Sequence, residues 1–186
     1  MVKYRPIATA RRGPQARKCL LGLMAALGAA ILSACAGDKG PPPPCPEVVG
    51  VTGASNMVRF RSAGRDLTDV EFEAQIRDAA LVCEYDDNVI EADMRLSIEA
   101  LRGPANADQI ARFGYFVAIA TRTREVLVRE EFQLEIPLPG NQTRVAAIEE
   151  ISQRIPLKAG ESGADYVIFV GLNLTPEEFQ YNVENR

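Results

Sequence analysis

The stretch Val89-Ile-Glu-Ala-Asp-Met-Arg-Leu-Ser-Ile-Glu-Ala100 decides the fold class. Apolar side chains occupy every even position from residue 90 to residue 100, and four of the five odd positions between them are charged. A period of two places the two sets on opposite faces of an extended chain, which is typical of a strand with one buried face. The segment therefore predicts a strand of an antiparallel sheet that covers a core.

The same alternation precedes this stretch. It runs through residues 70–77, and its parity shifts near Asp78-Ala79, which predicts a β-bulge or a turn. Asp86-Asp87-Asn88 then predicts a hairpin turn, because short polar side chains tolerate turn conformations. Two long strands joined by a tight turn are therefore expected.

Further apolar segments predict the remaining strands, at residues 113–121, 126–136 and 166–174, with a short one near 47–52 or 57–61. Residues 144–155 fit both periods, and we favour a strand because short loops join them to strands. Seven or eight strands predict a mainly β fold, an antiparallel immunoglobulin-like β-sandwich. A small antiparallel barrel is the alternative, because periodicity does not separate the two.

The end of the chain has a different pattern. Thr175-Pro-Glu-Glu178 offers a capping residue, a proline at the first helical position and a glutamate at the third. A short helix is expected over about residues 176–182. It carries Phe179 and Tyr181, which are candidates for partner binding because aromatic side chains often anchor interfaces. The alternative is that both rings cap the end of the sandwich.

Residues 1–34 differ chemically from the rest of the chain. They hold six Lys and Arg and no Asp or Glu, and the six all precede an apolar run at residues 20–32 of signal-peptide length. The remaining residues carry 15 Lys and Arg against 25 Asp and Glu, a net charge of −10. This balance argues against nucleic acid as a partner, because phosphate binding needs clustered cations.

Leu32-Ser-Ala-Cys35 resembles the lipobox of bacterial lipoproteins. The resemblance implies that residues 1–34 are a removed signal peptide and that lipid on Cys35 anchors the protein to a membrane. A membrane-spanning anchor is the alternative, since residues 19–37 are uncharged. Ala36 implies, by the same resemblance, the periplasmic face of the outer membrane, with the inner membrane as alternative. Residues 35–46, with prolines at 41–44, would form a tether to a domain at 47–186.

Two cysteines remain once the signal peptide and the lipidated residue are set aside. Cys45 and Cys83 would lie in an oxidising compartment and most simply pair. Two unpaired buried thiols are the alternative. The chain has no histidine, the commonest general base and metal ligand. We assign no catalytic residue, no metal ligand and no cofactor beyond the lipid.

Other candidate residues are better explained by structural roles than by a catalytic or binding role. Glu84, Asp86 and Asp87 are dense enough to suggest calcium, but they lack a recognised loop spacing and suit a solvated turn. Glu71 and Glu73 share one strand face, whereas glycoside hydrolysis needs carboxylates opposed across a cleft. The aromatic residues Phe113, Tyr115 and Phe116 could line a binding face, but core packing is favoured on so apolar a run.

Four segments together resemble uncharacterised alphaproteobacterial lipoproteins, and the resemblance covers most of residues 45–182. The segments are Cys45-Pro-Glu47, Gly64-Arg-Asp-Leu-Thr-Asp69, Cys83-Glu-Tyr85 and Leu174-Thr-Pro-Glu-Glu-Phe-Gln-Tyr-Asn182. The family has no assigned activity, so the resemblance implies location and not chemistry. The expected function is a non-enzymatic protein-binding, cell-wall-binding or structural role in the envelope. A small-ligand or metal-binding lipoprotein is the alternative, and a carboxylate-dependent hydrolase is third.

Overall fold

The computed structural model describes residues 42–62 and 64–185. The predicted signal peptide at residues 1–34, the lipidation of Cys35 and the first part of the tether fall outside these ranges. The described chain contains eight strands and one α-helix. These are β1 (Glu47–Gly50), β2 (Asn56–Phe60), β3 (Val70–Asp86), β4 (Val89–Arg102), β5 (Ile110–Thr121), β6 (Val126–Pro137), β7 (Arg144–Pro156), β8 (Tyr166–Leu172) and α1 (Pro176–Glu184). None of the helical residues within these ranges forms a segment long and apolar enough to cross a bilayer.

The strands form two sheets of four. The first sheet has the order β1-β8-β5-β6 and the second has the order β2-β3-β4-β7. Neighbouring strands are antiparallel except β1, which runs parallel to β8. The predicted β-sandwich and terminal helix are therefore confirmed, and neither sheet of the described chain closes into a barrel.

The strand order departs from the immunoglobulin pattern that the sequence suggested. Immunoglobulin sandwiches place the first, second, fifth and fourth strands in one sheet, whereas here the second, third, fourth and seventh strands share one. The long β3–β4 hairpin is the physical reason. Strands of 17 and 14 residues pair along nearly their whole length across the two-residue turn Asp87-Asn88, which keeps consecutive strands in the same sheet.

The alternation in β4 marks the core as expected. Its even-numbered side chains from Ile90 to Ala100 are buried between the sheets. The parity shift in β3 is a β-bulge at Arg77, where the register slips between Ile76 and Asp78. The ambiguous segment is strand β7, which pairs with β4 from end to end, so the strand interpretation is confirmed.

Candidate functional site

A clamp fastens the end of the tether to the sandwich. Cys45 and Cys83 form the predicted disulfide, with 5.9 Å between their Cα atoms. The Tyr85 hydroxyl donates to the Pro44 carbonyl at 2.6 Å and accepts from the Gly163 N–H at 2.6 Å. Gly163 permits this close approach, because an added Cβ would collide with the Pro44 carbonyl oxygen. We refer to these five residues as the tether clamp.

The tether clamp and helix α1 lie at opposite ends of the first sheet. Cys45 comes two residues before Glu47, which pairs with Val167 near the start of β8. Strand β8 then runs away from the clamp to Leu172, and α1 follows it. Because β1 and β8 are parallel, Cys45 lies six residues before the position that stands beside Gly171, which is about 20 Å along the strands.

Helix α1 is docked on β2 by polar contacts. Thr175 caps it, and the Glu178 N–H donates to the Thr175 Oγ1 at 3.2 Å, while the Glu178 carboxylate accepts from the Thr175 N–H at 2.8 Å. The same carboxylate, only 9% exposed, accepts from Arg59 Nε at 2.5 Å. Asn182 Nδ2 donates to the carbonyls of Gly53 and Asn56 at 2.9 and 2.7 Å. The cap and these side chains fix the helix against the sheet.

The two aromatic residues predicted as partner contacts have different surroundings. Tyr181 is half-buried and meets the Phe60 ring edge-on, with centroids 5.1 Å apart. Phe179 points to solvent from the same helix and is 45% exposed. Tyr181 therefore contributes to docking of the helix, whereas Phe179 is free to contact another molecule.

A groove runs between α1 and the outward face of the first sheet. It encloses about 510 Å³ and is called the Phe116 groove below. The Phe116 ring lies across Gly171, where an added Cβ would stand 2.6 Å from the ring. The guanidinium of Arg129 lies over the ring at 3.9 Å from its centroid, which is a cation–π geometry. Arg129 is held there by hydrogen bonds to Glu131 at 3.0 Å and to Asn173 at 3.3 Å.

A smaller groove lies on the other side of the helix. It encloses about 300 Å³ between β2 and α1, and Phe60, Tyr181 and Glu177 are among its lining residues. The Arg65 guanidinium is 4.9 Å from the centroid of the Phe60 ring. An arginine over an aromatic ring is thus found on both sides of α1.

The outward face of the first sheet is apolar over the half nearer to the tether clamp. Paired residues of neighbouring strands share a face, so side chains there stand in rows across the sheet. The apolar members of the two outward rows nearest the clamp are Val49, Ala118, Ala120, Val126, Val167 and Phe169. The outward face of the second sheet instead carries ion pairs, such as Arg154 with Glu91 and Arg95 with Glu150, each at 3.5 Å. The two outer faces are therefore chemically different.

Polar side chains bridge the two sheets between the edge strands β6 and β7. The Tyr115 hydroxyl donates to the Glu149 carboxylate at 2.9 Å, and Gln153 Nε2 donates to the Glu130 carboxylate at 2.9 Å. Burial, reinforced by the nearby Glu149, raises the pKa of Tyr115 well above its ordinary value of 10.0. The phenol therefore stays protonated and serves as a hydrogen-bond donor, which makes this cluster a structural link.

The other residues singled out in the sequence do not converge on a site. Glu84, Asp86 and Asp87 are exposed at the tip of the β3–β4 hairpin, and Glu71 and Glu73 lie on the outward face of the second sheet. Over residues 42–62 and 64–185, no three acidic, cysteine or histidine side chains approach closely enough to hold a metal ion.

The β5 aromatics divide between the two faces of the sheet. Phe113 and Tyr115 are core residues, as favoured from the sequence, whereas Phe116 faces outward and forms the floor of the groove. Arg129 and Gly171 were not predicted as partners of Phe116. A glycine within an apolar strand was the available signal, because it often marks close approach of another group.

Comparison with known proteins gives no family assignment. No family model matches the chain, and no curated protein matches it. Among solved structures, the variable (V) domain of the Streptococcus agalactiae AgI/II polypeptide BspA aligns at 11% identity, over 77% of this chain and 84% of that domain. The TM-score is 0.17, too low to support any conclusion about fold or function.

Proposed function

We propose that this chain is an envelope lipoprotein, anchored through lipid on Cys35, whose sandwich binds another macromolecule without catalysing a reaction. The lipobox resemblance of Leu32-Ser-Ala-Cys35 supports the anchor and the removal of residues 1–34. The residue after the cysteine, Ala36, supports the periplasmic face of the outer membrane. The disulfide of Cys45 and Cys83 fits an oxidising compartment of this kind.

The observation that carries the binding proposal is the Phe116 groove beside α1. It combines the solvent-exposed Phe179 with the half-exposed Arg129 guanidinium, which lies over the buried Phe116 ring. Rigid aromatic and arginine side chains are the residue types that contribute most binding free energy in protein interfaces, because little conformational entropy is lost on contact. The tether clamp lies at the other end of the sheet, about 20 Å away along the strands.

A macromolecular partner fits the groove better than a small ligand. Small-ligand sites use a few convergent polar groups with free hydrogen-bonding capacity, but here Arg129, Glu131 and Asn173 already bond to one another. The one buried side-chain polar atom without a partner in the described chain, Oδ1 of Asn106, belongs to the β4–β5 loop and does not line the groove.

Two variants of α1 test the proposal. Phe179→Ala removes the exposed ring, and Val183→Ala is the matched control, because Val183 is also exposed, at 47%, on the same helix. We expect Phe179→Ala to reduce co-purification of an envelope partner from detergent-solubilised membranes at least roughly tenfold, since truncation of an interface aromatic anchor commonly costs more than 1.4 kcal/mol.

The control should co-purify the partner as the unchanged chain does, and both variants should keep its melting temperature. Equal recovery with Phe179→Ala would contradict the proposal. Loss of cooperative unfolding in that variant would show instead that the ring belongs to the core, and would also contradict it.

A further inference from the structure

We propose that the exposed start of the edge strand β6 rests against the bilayer that holds the lipid anchor. This inference depends on the anchoring proposed above for Cys35, but not on the Phe116 groove. The contact would leave the outward face of the second sheet away from the lipid. It would make the lipid surface a second binding partner of the folded domain.

The start of β6 is the most exposed apolar segment of the first sheet. Val126, Leu127 and Val128 are consecutive and are 57%, 48% and 44% exposed. They form a β-bulge, because Val126 pairs with Ala120 and Val128 with Ile119, which leaves Leu127 without a partner in the ladder. A bulge on an edge strand redirects side chains outward. Three exposed apolar side chains therefore lie together at the edge of the sheet, with Val126 on the outward face and Val128 on the face of Ile119.

This segment lies at the end where the tether leaves the domain. Glu47, Val167, Ala120 and Val126 are successive partners across the four strands, so Val126 is three strand spacings, or about 14 Å, from Glu47. The ten residues from Cys35 to Cys45 span at most about 31 Å as polyproline II. The disulfide thus keeps the lipid within about 31 Å of Cys45, at the end of the sheet where the apolar segment lies.

The tether makes a small apolar surface sufficient for membrane contact. A lipid-anchored domain faces the bilayer at a millimolar effective concentration, so a weak contact is populated that would not recruit a free protein. Attraction by charge is not the cause. Arg122 and Arg124 in the β5–β6 turn could reach lipid phosphates, but Glu125 and the nearby Asp165 offset them. The contact should therefore form on zwitterionic lipid and should not require anionic lipid.

The absence of tryptophan from the chain gives a direct test. Leu127→Trp places a single reporter on the proposed contact in the full-length, lipidated protein, reconstituted into phosphatidylethanolamine–phosphatidylcholine vesicles. Two controls carry the reporter on other exposed apolar positions: Val82→Trp on the outward face of the second sheet, 68% exposed, and Val183→Trp on α1. Phosphatidylcholine with brominated acyl chains quenches tryptophan only near contact.

The expected result is that brominated lipid lowers emission from position 127 by roughly half, because the apolar segment is seated among the acyl chains, and leaves positions 82 and 183 unchanged. Val126→Ser with Val128→Ser, added to Leu127→Trp, should weaken the quenching. If quenching persists in that triple variant, the introduced ring and not the native side chains seeks the lipid, and the proposal is wrong.

Four other outcomes would overturn it. Equal quenching at all three positions would mean that no defined face meets the bilayer. Unquenched emission from position 127 on protein that floats with the vesicles would remove the membrane contact and leave the lipid anchor intact. If that emission shifts to the blue as protein density rises, the segment binds a second copy instead. Protein that does not float would remove the anchor and this proposal together.

Discussion

Removal of the disulfide should cost this domain a large part of its stability. We consider the double variant Cys45→Ser with Cys83→Ser. The bridge joins residues 38 positions apart and closes a loop that contains β1, β2 and most of β3. In the chain-entropy description, a loop of this length stabilises the folded state by about 4 kcal/mol, because it restricts the unfolded chain. At roughly 3 °C per kcal/mol for a domain of this size, the melting temperature should fall by about 12 °C.

Differential scanning calorimetry of the mature protein measures the change, with Tyr85→Phe as the control. That control removes only the hydroxyl that bonds to Pro44 and Gly163, so it keeps the bridge and should lower the melting temperature by no more than a few degrees. Native protein without reductant should contain no alkylatable thiol at Cys45 or Cys83. A fall of less than about 3 °C in the double variant would correspond to less than about 1 kcal/mol, against about 4 kcal/mol expected from the loop length, and would refute the reasoning.

Three further predictions use other parts of the chain. Cys35→Ala should abolish metabolic labelling with palmitate and leave a precursor of higher mass on electrophoresis; normal processing of that variant would exclude the lipoprotein assignment. Gly171→Ala should lower stability in urea by about 1–3 kcal/mol, because its Cβ would stand 2.6 Å from the Phe116 ring. The hydrogen bond to Glu161 raises the pKa of Tyr166 from 10.0 to about 12. The stability that this bond gives to the folded state is therefore complete below pH 10 and is lost as the pH rises to about 12. Tyr166→Phe should therefore melt with a shallower decline over that range, and an unchanged decline would contradict this assignment.

The parts of the fold that were predicted correctly depend on local chemistry. Alternation in β4, the bulge near Asp78 and the Thr175 cap are encoded within a few residues, so the period and the capping pattern identified them. The disulfide was predicted because two of the four cysteines were assigned to the signal peptide and to the lipid, which left Cys45 and Cys83 to pair. The strand order did not follow, because the choice of neighbours for β7 and β8 rests on contacts between segments that are distant in the chain.

The candidate site was predicted only in part, for the same reason. Phe179 was identified because an aromatic residue on a short, capped helix is visible locally. Its surroundings were not, since Arg129 and Asn173 are 44 positions apart and meet only when β6, β5 and β8 pair. The outward direction of Phe116 was hidden as well, because β5 is apolar on both faces and its sequence carries no alternation.

Site-specific photocrosslinking in growing cells tests the central claim, that the groove beside α1 binds a macromolecule. A benzophenone amino acid at position 179 would stand at the Phe116 groove, and the same residue at position 82 would stand on the second sheet, far along the chain from α1. We predict a discrete crosslinked species from position 179 in the membrane fraction, and none from position 82. No species from position 179, or the same species from both positions, would contradict the claim.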